Sequence, residues 1–295
     1  MPAPAGPPPL GRNPGDAWVV AESGERYWGR FGAAGLLAVD PERGVLLQRR
    51  AQWSHHGGTW ALPGGARHEG ETAIAGALRE SAEEAGVPAA AIRPRFVSVA
   101  DFGVWSYATV IGDVERPFEA EISDPESLAL EWVAPERIDG LALHPGFAAS
   151  WPALRELLAV RPSVVVDVAN VVGSVPDGWW RDRAGAAGRL LDRLVRATAG
   201  GLVGDELGLA AGTWFPEWSA VVEGQARAAV DVPGLAVVRA EGSGDLAVLD
   251  ETGRRIAAGR TTAVVTSDRA LAAQALELGA IVRPSGWLRS IIDAA

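Results

Sequence analysis

The sequence predicts an α/β protein built in two units, and three observations carry that expectation. Its 295 residues fit about two domains at roughly 150 residues each. Short apolar runs of strand character alternate with helical patterns along the chain, the usual sequence signature of an α/β architecture. Charge is divided unevenly: residues 1–160 hold 13 arginines against 21 acids, residues 161–295 hold 14 against 16. Arg161-Pro162 makes a natural joint. The expected organisation is a flexible leader over 1–20, a first domain over 21–160 and a second over 161–295.

In chain order, the opening PAPAGPPPLGRN is rich in Pro and Ala and cannot pack a core. Two strands are expected between Arg30 and Arg50, separated by the turn residues Asp40-Pro41-Glu42. A helix from Thr72 to Ala85 is stopped by Gly86, with Pro88 beyond it. Strand-like segments follow at 95–100, 107–112 and 128–133. The segment Leu143 to Phe147 reads as a turn into a capped helix running to Val160, with no role given to His144. In the second half, Val164-Val165-Val166 forms a fully apolar strand ending in Asp167. A long helix is expected from Trp179 to Ala199, then strands at 219–222, 235–239 and 262–266 separated by helical patterns. Strands that alternate with helices in this way predict a parallel sheet covered on both faces.

Composition removes several function classes. There is no cysteine, which excludes disulfide frameworks, thiolate metal sites and cysteine nucleophiles. All 27 basic residues are arginine, which excludes Schiff-base lysines and the P-loop lysine. A net charge of −10 argues against nonspecific coating of nucleic acid and against anionic membranes. It is compatible with small phosphorylated substrates held through divalent cations. No apolar run approaches the roughly 18 residues that span a bilayer, and the first residues lack the basic flank and apolar stretch of a signal peptide. The expected location is cytoplasmic, with no membrane partner; a homo-oligomer is compatible with everything read so far.

The most informative stretch runs from Gly64-Gly65 through Glu69 and Glu71 to Arg79-Glu80-Ser81-Ala82-Glu83-Glu84-Ala85-Gly86-Val87. On a helix, Glu80, Glu83 and Glu84 stand at i, i+3 and i+4 and share one face. Like charges at that spacing repel by a few tenths of a kcal/mol per pair. The repulsion is removed if the acids collect around a hard cation such as Mg²⁺ or Mn²⁺. Arg79 can hold one carboxylate in its planar fork, and a Gly64-Gly65 turn would let backbone carbonyls approach the ion. A solvated acidic helix face is the bland alternative for a bare E-x-x-E-E; the glycines, Glu71 and Arg79 at fixed offsets weigh against it.

This stretch resembles the Nudix box, in which a glycine is followed by five residues, Glu, seven residues, then Arg-Glu-(aliphatic)-x-Glu-Glu-x-Gly-(aliphatic). Gly65, Glu71, Arg79, Glu80, Glu83, Glu84, Gly86 and Val87 fall on the pattern; Ser81 departs from it. The resemblance covers about residues 25–158. It implies an α/β/α sandwich that hydrolyses a nucleoside diphosphate linked to another moiety, using Mg²⁺ or Mn²⁺ to neutralise phosphate and activate water. It further implies a catalytic set of Glu71, Arg79, Glu80, Glu83 and Glu84. The Gly65 carbonyl, Glu80 and Glu84 would be metal ligands supplemented by Glu83, and Arg79 would orient Glu80. The general base stays open, as does an additional acid among Asp101, Glu119, Glu121 and Glu126. Substrates left open include 8-oxo-dGTP, ADP-ribose-like compounds and capped or triphosphorylated RNA. Trp53, Trp60, Phe102, Trp105 and Tyr107 flank the site and suit packing more than base stacking. His55, His56 and His68 could touch phosphate or simply face solvent.

The second half places acids after successive strands: Asp167 with Asn170, Asp245 in Gly242-Ser243-Gly244-Asp245, and Asp268 in Thr266-Ser267-Asp268. In a parallel sheet such positions gather at one C-terminal edge, where they could hold Mg²⁺ and attack a phosphodiester; singly, each is also a helix N-cap. This half resembles the PIN-like ribonucleases of the NYN group over roughly residues 162–292, which implies an α/β domain acting on RNA. Relatives often carry a doubled Asp where this chain has Asp245-Leu246; Glu223 or Asp182 are the substitutes on offer. The alternative is a nucleotide- or RNA-binding module without chemistry. Arg189, Arg193 and Arg196 form a helical stripe that, interleaved with Asp182 and Asp192, suits an ordinary solvated face.

Overall fold

The structure, a computed structural model, describes residues 15–294, so the Pro/Ala-rich opening segment lies outside the described residues up to Pro14. The chain divides into two units between Ala159 and Val160. In the first unit the order is β1 (Trp18–Val20), β2 (Arg26–Trp28), β3 (Ala33–Asp40), β4 (Gly44–Arg50), β5 (Trp60–Ala61), β6 (Gly64–Ala66), α1 (Ala73–Ala85), β7 (Ile92–Asp101), β8 (Ser106–Val114), β9 (Ser127–Val133), α2 (Pro135–Ile138) and α3 (Pro145–Leu157). Trp18–Val20 pairs antiparallel with Arg26–Trp28, so the last residues of the expected leader belong to an ordered hairpin.

The main sheet of this unit is mixed. β3 runs parallel to β8, while β7–β8, β3–β6, β4–β5 and β4–β9 pair antiparallel. β3 reads AAGLLAVD and is buried at nearly every position, as a central strand covered on both faces should be. Helix α1 packs on β3 and β6. Thr72 caps it by accepting from the Ala75 N–H. Gly86 ends it at φ 63°, where its N–H reaches Ala82 O and the Val87 N–H reaches Ser81 O, a left-handed stop that glycine adopts without Cβ strain. Ser81, the departure from the box, is buried, and its hydroxyl donates to Leu78 O. Helix α3 starts at Pro145, because His144 Nδ1 accepts the Gly146 N–H. His144, given no role in the sequence, is thus the cap.

The second unit contains β10 (Pro162–Asp167), α4 (Val168–Gly173), α5 (Arg183–Thr198), β11 (Leu202–Val203), β12 (Thr213–Trp214), β13 (Glu217–Val222), β14 (Ala236–Arg239), α6 (Gly244–Ala257), β15 (Thr261–Val265), α7 (Arg269–Glu277), β16 (Ile281–Arg283) and α8 (Ser285–Ala294). Five strands form a wholly parallel sheet in the order β14-β13-β10-β15-β16. Val165, Val221 and Val264 pack with Val248 of α6 and with Leu271 and Ala275 of α7. The alternating residues Val164 and Val166 are equally buried, so both faces are covered, as a parallel sheet requires. The expected helix at Trp179 begins four residues later. A short 3₁₀ turn occupies Trp179–Arg181, and Asp182 caps α5 by accepting from the Gly185 N–H.

Candidate active site

The first unit assembles its carboxylates around one guanidinium. Arg79 Nε donates to Glu71 Oε1 at 2.9 Å and Nη2 donates to Glu71 Oε2 at 2.9 Å. Nη1 donates to Glu80 Oε1 at 2.7 Å and lies 3.5 Å from Glu83 Oε2, while Nη2 also reaches Ala66 O at 2.9 Å. The planar fork is therefore spent on Glu71, and Glu80 receives a single bond. Glu71 also accepts the His68 N–H, which closes the loop ahead of α1. The Arg79 pair holds the Glu71 carboxyl below its ordinary range.

Glu80 and Glu84 have the opposite electrostatics. Burial pushes the Glu84 carboxyl up to about 8, with neighbouring Glu80 and Glu126 adding to the effect and the Gly64 N–H opposing it at 2.8 Å. Burial also raises Glu80, against the pull of Arg79. Glu126 is raised by burial and by Asp124, and its backbone carbonyl accepts the Ala51 N–H at the end of β4. Of the four acids offered as an additional ligand, Glu126 is the one whose charge acts on Glu84. Asp101 instead bonds the Gly103 N–H, Glu119 lies 3.8 Å from Arg43, and Glu121 bonds the end of α1 through its backbone N–H.

Gly64 and Gly65 form strand β6 and not a turn. A Cβ on Gly64 would lie 2.4 Å from Gly35 Cα, and one on Gly65 would lie 2.6 Å from Glu80 Oε2. The pair is needed for close approach: Gly64 lets β6 pack on β3, and Gly65 lets the Glu80 carboxylate lie against the strand. The result is a set of hard oxygen donors, Glu80, Glu84 and Glu126, in which Glu80 and Glu126 both act electrostatically on Glu84, while Arg50 opposes them. That donor set fits a divalent hard cation.

Around this site, Tyr27 stacks on Trp105 at 4.8 Å and on Phe102 at 5.3 Å. Trp105 Nε1 donates to Gly29 O. Phe102 and Trp105 thus pack against Tyr27, whereas Trp53 is exposed. Tyr107 sits close enough that a Cβ on Gly35 would strike its hydroxyl; burial and Glu84 raise its pKa.

The second unit gathers its acids at the C-terminal edge of the sheet. A cleft of about 460 Å³ is lined by Asp167, Asn170, Glu223, Asp245 and Asp268 among others. It opens where the strand order reverses beside β10, the switch point at which α/β sheets bind ligands. Asp167 is buried and raised by desolvation, with Asp245 and Glu223 adding to the shift. Its two oxygens accept the Asn170 N–H at 3.0 Å and the Thr266 hydroxyl at 2.9 Å. Glu223 accepts the Gly244 N–H at 2.8 Å and lines the cleft, whereas Leu246 is exposed. Asp182 does not line the cleft; it is a cap.

Two residues of the cleft also carry structural ties. The Asn170 side-chain carbonyl accepts the Ser267 N–H at 2.8 Å and the Ser285 hydroxyl at 2.6 Å, so Asn170 ties these two segments together. Asp268 Oδ1 caps α7 by accepting from Ala270 and Leu271. In the arginine stripe, Arg193 is ion-paired with Asp293, consistent with a solvated face.

The NUDIX domain model matches residues 29–157. A Mycobacterium tuberculosis protein named "Putative 8-oxo-dGTP diphosphatase 3" is 48% identical over 161 residues, covering 51% of this chain and 74% of that protein. A Bifidobacterium longum protein named a nucleoside triphosphate pyrophosphatase/Nudix hydrolase fusion is 40% identical over 148 residues, covering 47% of this chain and 30% of that one. Among solved structures, a Nudix hydrolase from M. smegmatis shares 49% identity, covering 49% of this chain and 96% of its own, at a TM-score of 0.45.

Proposed function

The chain belongs to the Nudix hydrolase family, and on that premise we propose that the carboxylates of α1 are its catalytic centre and an oxidised purine nucleoside triphosphate its substrate. The observation that carries the site is the cluster of raised carboxylates, Glu80, Glu84 and Glu126, set beside an Arg79–Glu71 clamp. The Gly65 carbonyl, Glu80 and Glu84 would hold a Mg²⁺ or Mn²⁺ ion, with Glu83 and Glu126 next to it. Bound there, the ion supplies charge neutralisation of the diphosphate and a lowered pKa for a water molecule.

The protein's own residues do the rest. Arg79 fixes Glu80 by one bond while anchoring itself on Glu71, so the geometry of the Glu80 carboxylate does not depend on substrate. Glu84, buried and fixed by the Gly64 N–H, is a positioned carboxylate that can hold the ion or accept a proton. The substrate class rests on the relatives' names. Turnover of 8-oxo-dGTP to its monophosphate and pyrophosphate with Mg²⁺, faster than turnover of dGTP or ADP-ribose, is the expected result. Preference for ADP-ribose or for triphosphorylated RNA ends would overturn the substrate assignment and keep the site; inertness of all of them would overturn both.

A second reading concerns the C-terminal unit alone. The cleft that joins Asp167, Glu223, Asp245 and Asp268 favours a metal-dependent, PIN-like ribonuclease. The purified full chain would then cleave single-stranded RNA with Mn²⁺ or Mg²⁺, and Asp167→Asn would abolish it. Cleavage unchanged by Asp167→Asn would remove this reading, and RNA binding without cleavage would leave a binding module.

A further inference from the structure

Three of the chain's four histidines meet at one place that the hydrolase chemistry above does not use. His55 and His56 lie in the loop between β4 and β5, and His144 caps α3. One ligand atom from each lies within 4.8 Å of the others. The His55 and His56 rings are 4.0 Å apart by centroid, and the His56 and His144 rings 4.8 Å. His55 and His56 are exposed and His144 is half-buried.

The backbone holds them there. His144 N donates to Trp60 O at 2.8 Å, and Trp60 N donates to Ala142 O at 2.8 Å, which brings the second segment to the first across about 90 residues of sequence. The loop itself is tied at several points: Ser54 N to Ala51 O, Gly57 N to Ser54 O, Gly58 N to Arg50 O and Arg50 Nε to His55 O. A Cβ on Gly57 would lie 2.4 Å from Gln52 O, so this tight turn needs glycine there. His56 has φ 55°, and it is the one non-glycine with positive φ among the described residues. Its carbonyl is held by the Thr59 hydroxyl at 2.6 Å. Left-handed backbone at a side chain of this size is uncommon and marks positions where the surrounding structure imposes the conformation.

We propose that His55, His56 and His144 form a binding site for a borderline divalent transition ion of the Zn²⁺ type, separate from the carboxylate site of α1. The donor chemistry makes the two sites orthogonal. Imidazole nitrogens select Zn²⁺, Co²⁺, Ni²⁺ or Cu²⁺, whereas carboxylate and carbonyl oxygens select Mg²⁺ and Mn²⁺. Three nitrogens leave one tetrahedral position for water or an exogenous anion. At metal–nitrogen distances of about 2.0–2.1 Å the nitrogens would stand about 3.3 Å apart, so the ligands close by about 1.5 Å on binding; the exposed His55 and His56 rings have the freedom to do so. Burial together with Arg50, His55 and His56 depresses the His144 pKa to about 4, and burial, His56 and Arg50 also lower that of His55. Protons therefore compete weakly for these rings at neutral pH.

Two groups oppose binding and set its signature. Arg50 bears a positive charge that acts on His55 and His144 and repels a dication. His144 Nδ1 accepts the Gly146 N–H at 3.1 Å, so the neutral ring carries its proton on Nε2. Coordination through Nε2 moves that proton to Nδ1, where it faces the Gly146 N–H. Coordination through Nδ1 takes the lone pair directly. Either way the ion exchanges with the cap of α3, so binding is expected to move the Gly146 amide resonance.

The test is a Co²⁺ titration of the full chain, made without a histidine tag and with Mg²⁺ in excess to occupy oxygen sites. One equivalent should give visible d–d absorption of four-coordinate Co²⁺, bleached by Zn²⁺, and should shift the Gly146 amide signal. Affinity should fall at least tenfold in His56→Ala and in His144→Ala, and be unchanged in His68→Ala and in Glu80→Gln/Glu84→Gln. His55 is exposed, so His55→Gln supplies the same reading should His144→Ala unfold α3. Absence of the band, its survival in His55→Gln and His56→Ala, or its loss in the carboxylate variant would each overturn the site.

Discussion

Both units gather carboxylates on a β-sheet scaffold around a buried one with a raised pKa, Glu84 in the first and Asp167 in the second, and they do so by different means. In the first unit the acids come from one helix at i, i+3 and i+4, and a single arginine binds three of the neighbouring carboxylates at 2.7–3.5 Å. In the second they follow separate strands, and among the described residues Asp167 is held by a backbone amide and a hydroxyl, with no cation bonded to it. Helical periodicity makes Glu80, Glu83 and Glu84 local, so their geometry is set by α1 and one clamp, and only Glu126 joins them from outside the helix. Sheet topology makes the second cluster non-local, so it exists only once four strands are in register. The first cluster should therefore fail through loss of charge at one helix, and the second through loss of loop ties.

The sharpest way to break the comparison is Glu84→Gln. The amide keeps an acceptor for the Gly64 N–H and removes an ion ligand and a proton acceptor, so Mg²⁺-dependent hydrolysis should fall by a factor of about 10³ or more. Asp167→Asn should leave the same rate unchanged. A joint loss in steady-state assays of the two proteins would mean that the two clusters are one functional system.

Arg79→Ala comes next. Glu71 is largely buried and depends on this fork, so its loss leaves carboxylates without a counter-charge. With a fifth of the arginine side chain exposed, the cost should be about 2–3 kcal/mol, read as the urea midpoint of the first unit. Mg²⁺ should recover part of it, because the ion supplies the missing positive charge. No recovery would show that Arg79 supports the fold and not the ion site.

The pH dependence distinguishes the clamp from the ligands. Glu84 titrates near 8 in the folded, metal-free protein against an ordinary 4.5, so between those values the native state holds a proton that the unfolded chain has released. Its contribution is fully present below about pH 4.5 and is lost as pH rises toward 8, at up to about 1.4 kcal/mol per pH unit. Glu71, lowered by Arg79, has the opposite sign and stabilises above its unfolded pKa. Subtracting the Glu84→Gln melting curve from wild type in EDTA should isolate the first slope, and Mg²⁺ should erase it. A difference that is flat from pH 5 to 8 would place the burden on Glu80 and Glu126 instead.

Legibility in the sequence follows the same division. The limits of α1 were readable because Thr72, Gly86 and Pro88 act locally, and the box because its residues lie within one loop and helix. Arg79 does bond Glu80, its neighbour in sequence, but its fork closes on Glu71 in the loop ahead of α1. That choice depends on the path of the loop through Ala66 and His68, which no local rule supplies. Glu126 could be offered only as one of four acids, since β9 must pair with β4 before it approaches Glu84. In the second unit the strand ends were readable from apolar runs, but Asn170 could not be separated from a ligand until Ser267 and Ser285 were placed beside it. The meeting of the three histidines carried no signal: His55 and His56 suit phosphate contact or solvent by sequence, and they reach His144 through the Trp60 backbone, a pairing invisible to spacing.

The smallest expected effect separates capping from chemistry at Asp268. Its carboxylate does two things that a substitution can divide: Oδ1 caps α7, and the side chain lines the acidic cleft. Serine caps a helix about as well as aspartate, whereas alanine costs about 1 kcal/mol. Asp268→Ser should therefore melt within about 0.5 kcal/mol of wild type, the change typical of a surface substitution that keeps its cap, while Asp268→Ala is less stable by the cap. If the cleft holds a metal ion, both variants should lose RNA cleavage equally, because serine does not replace a carboxylate ligand. Cleavage that follows stability, retained in Ser and reduced in Ala, would make Asp268 a cap alone and leave Asp167, Glu223 and Asp245 to carry the site.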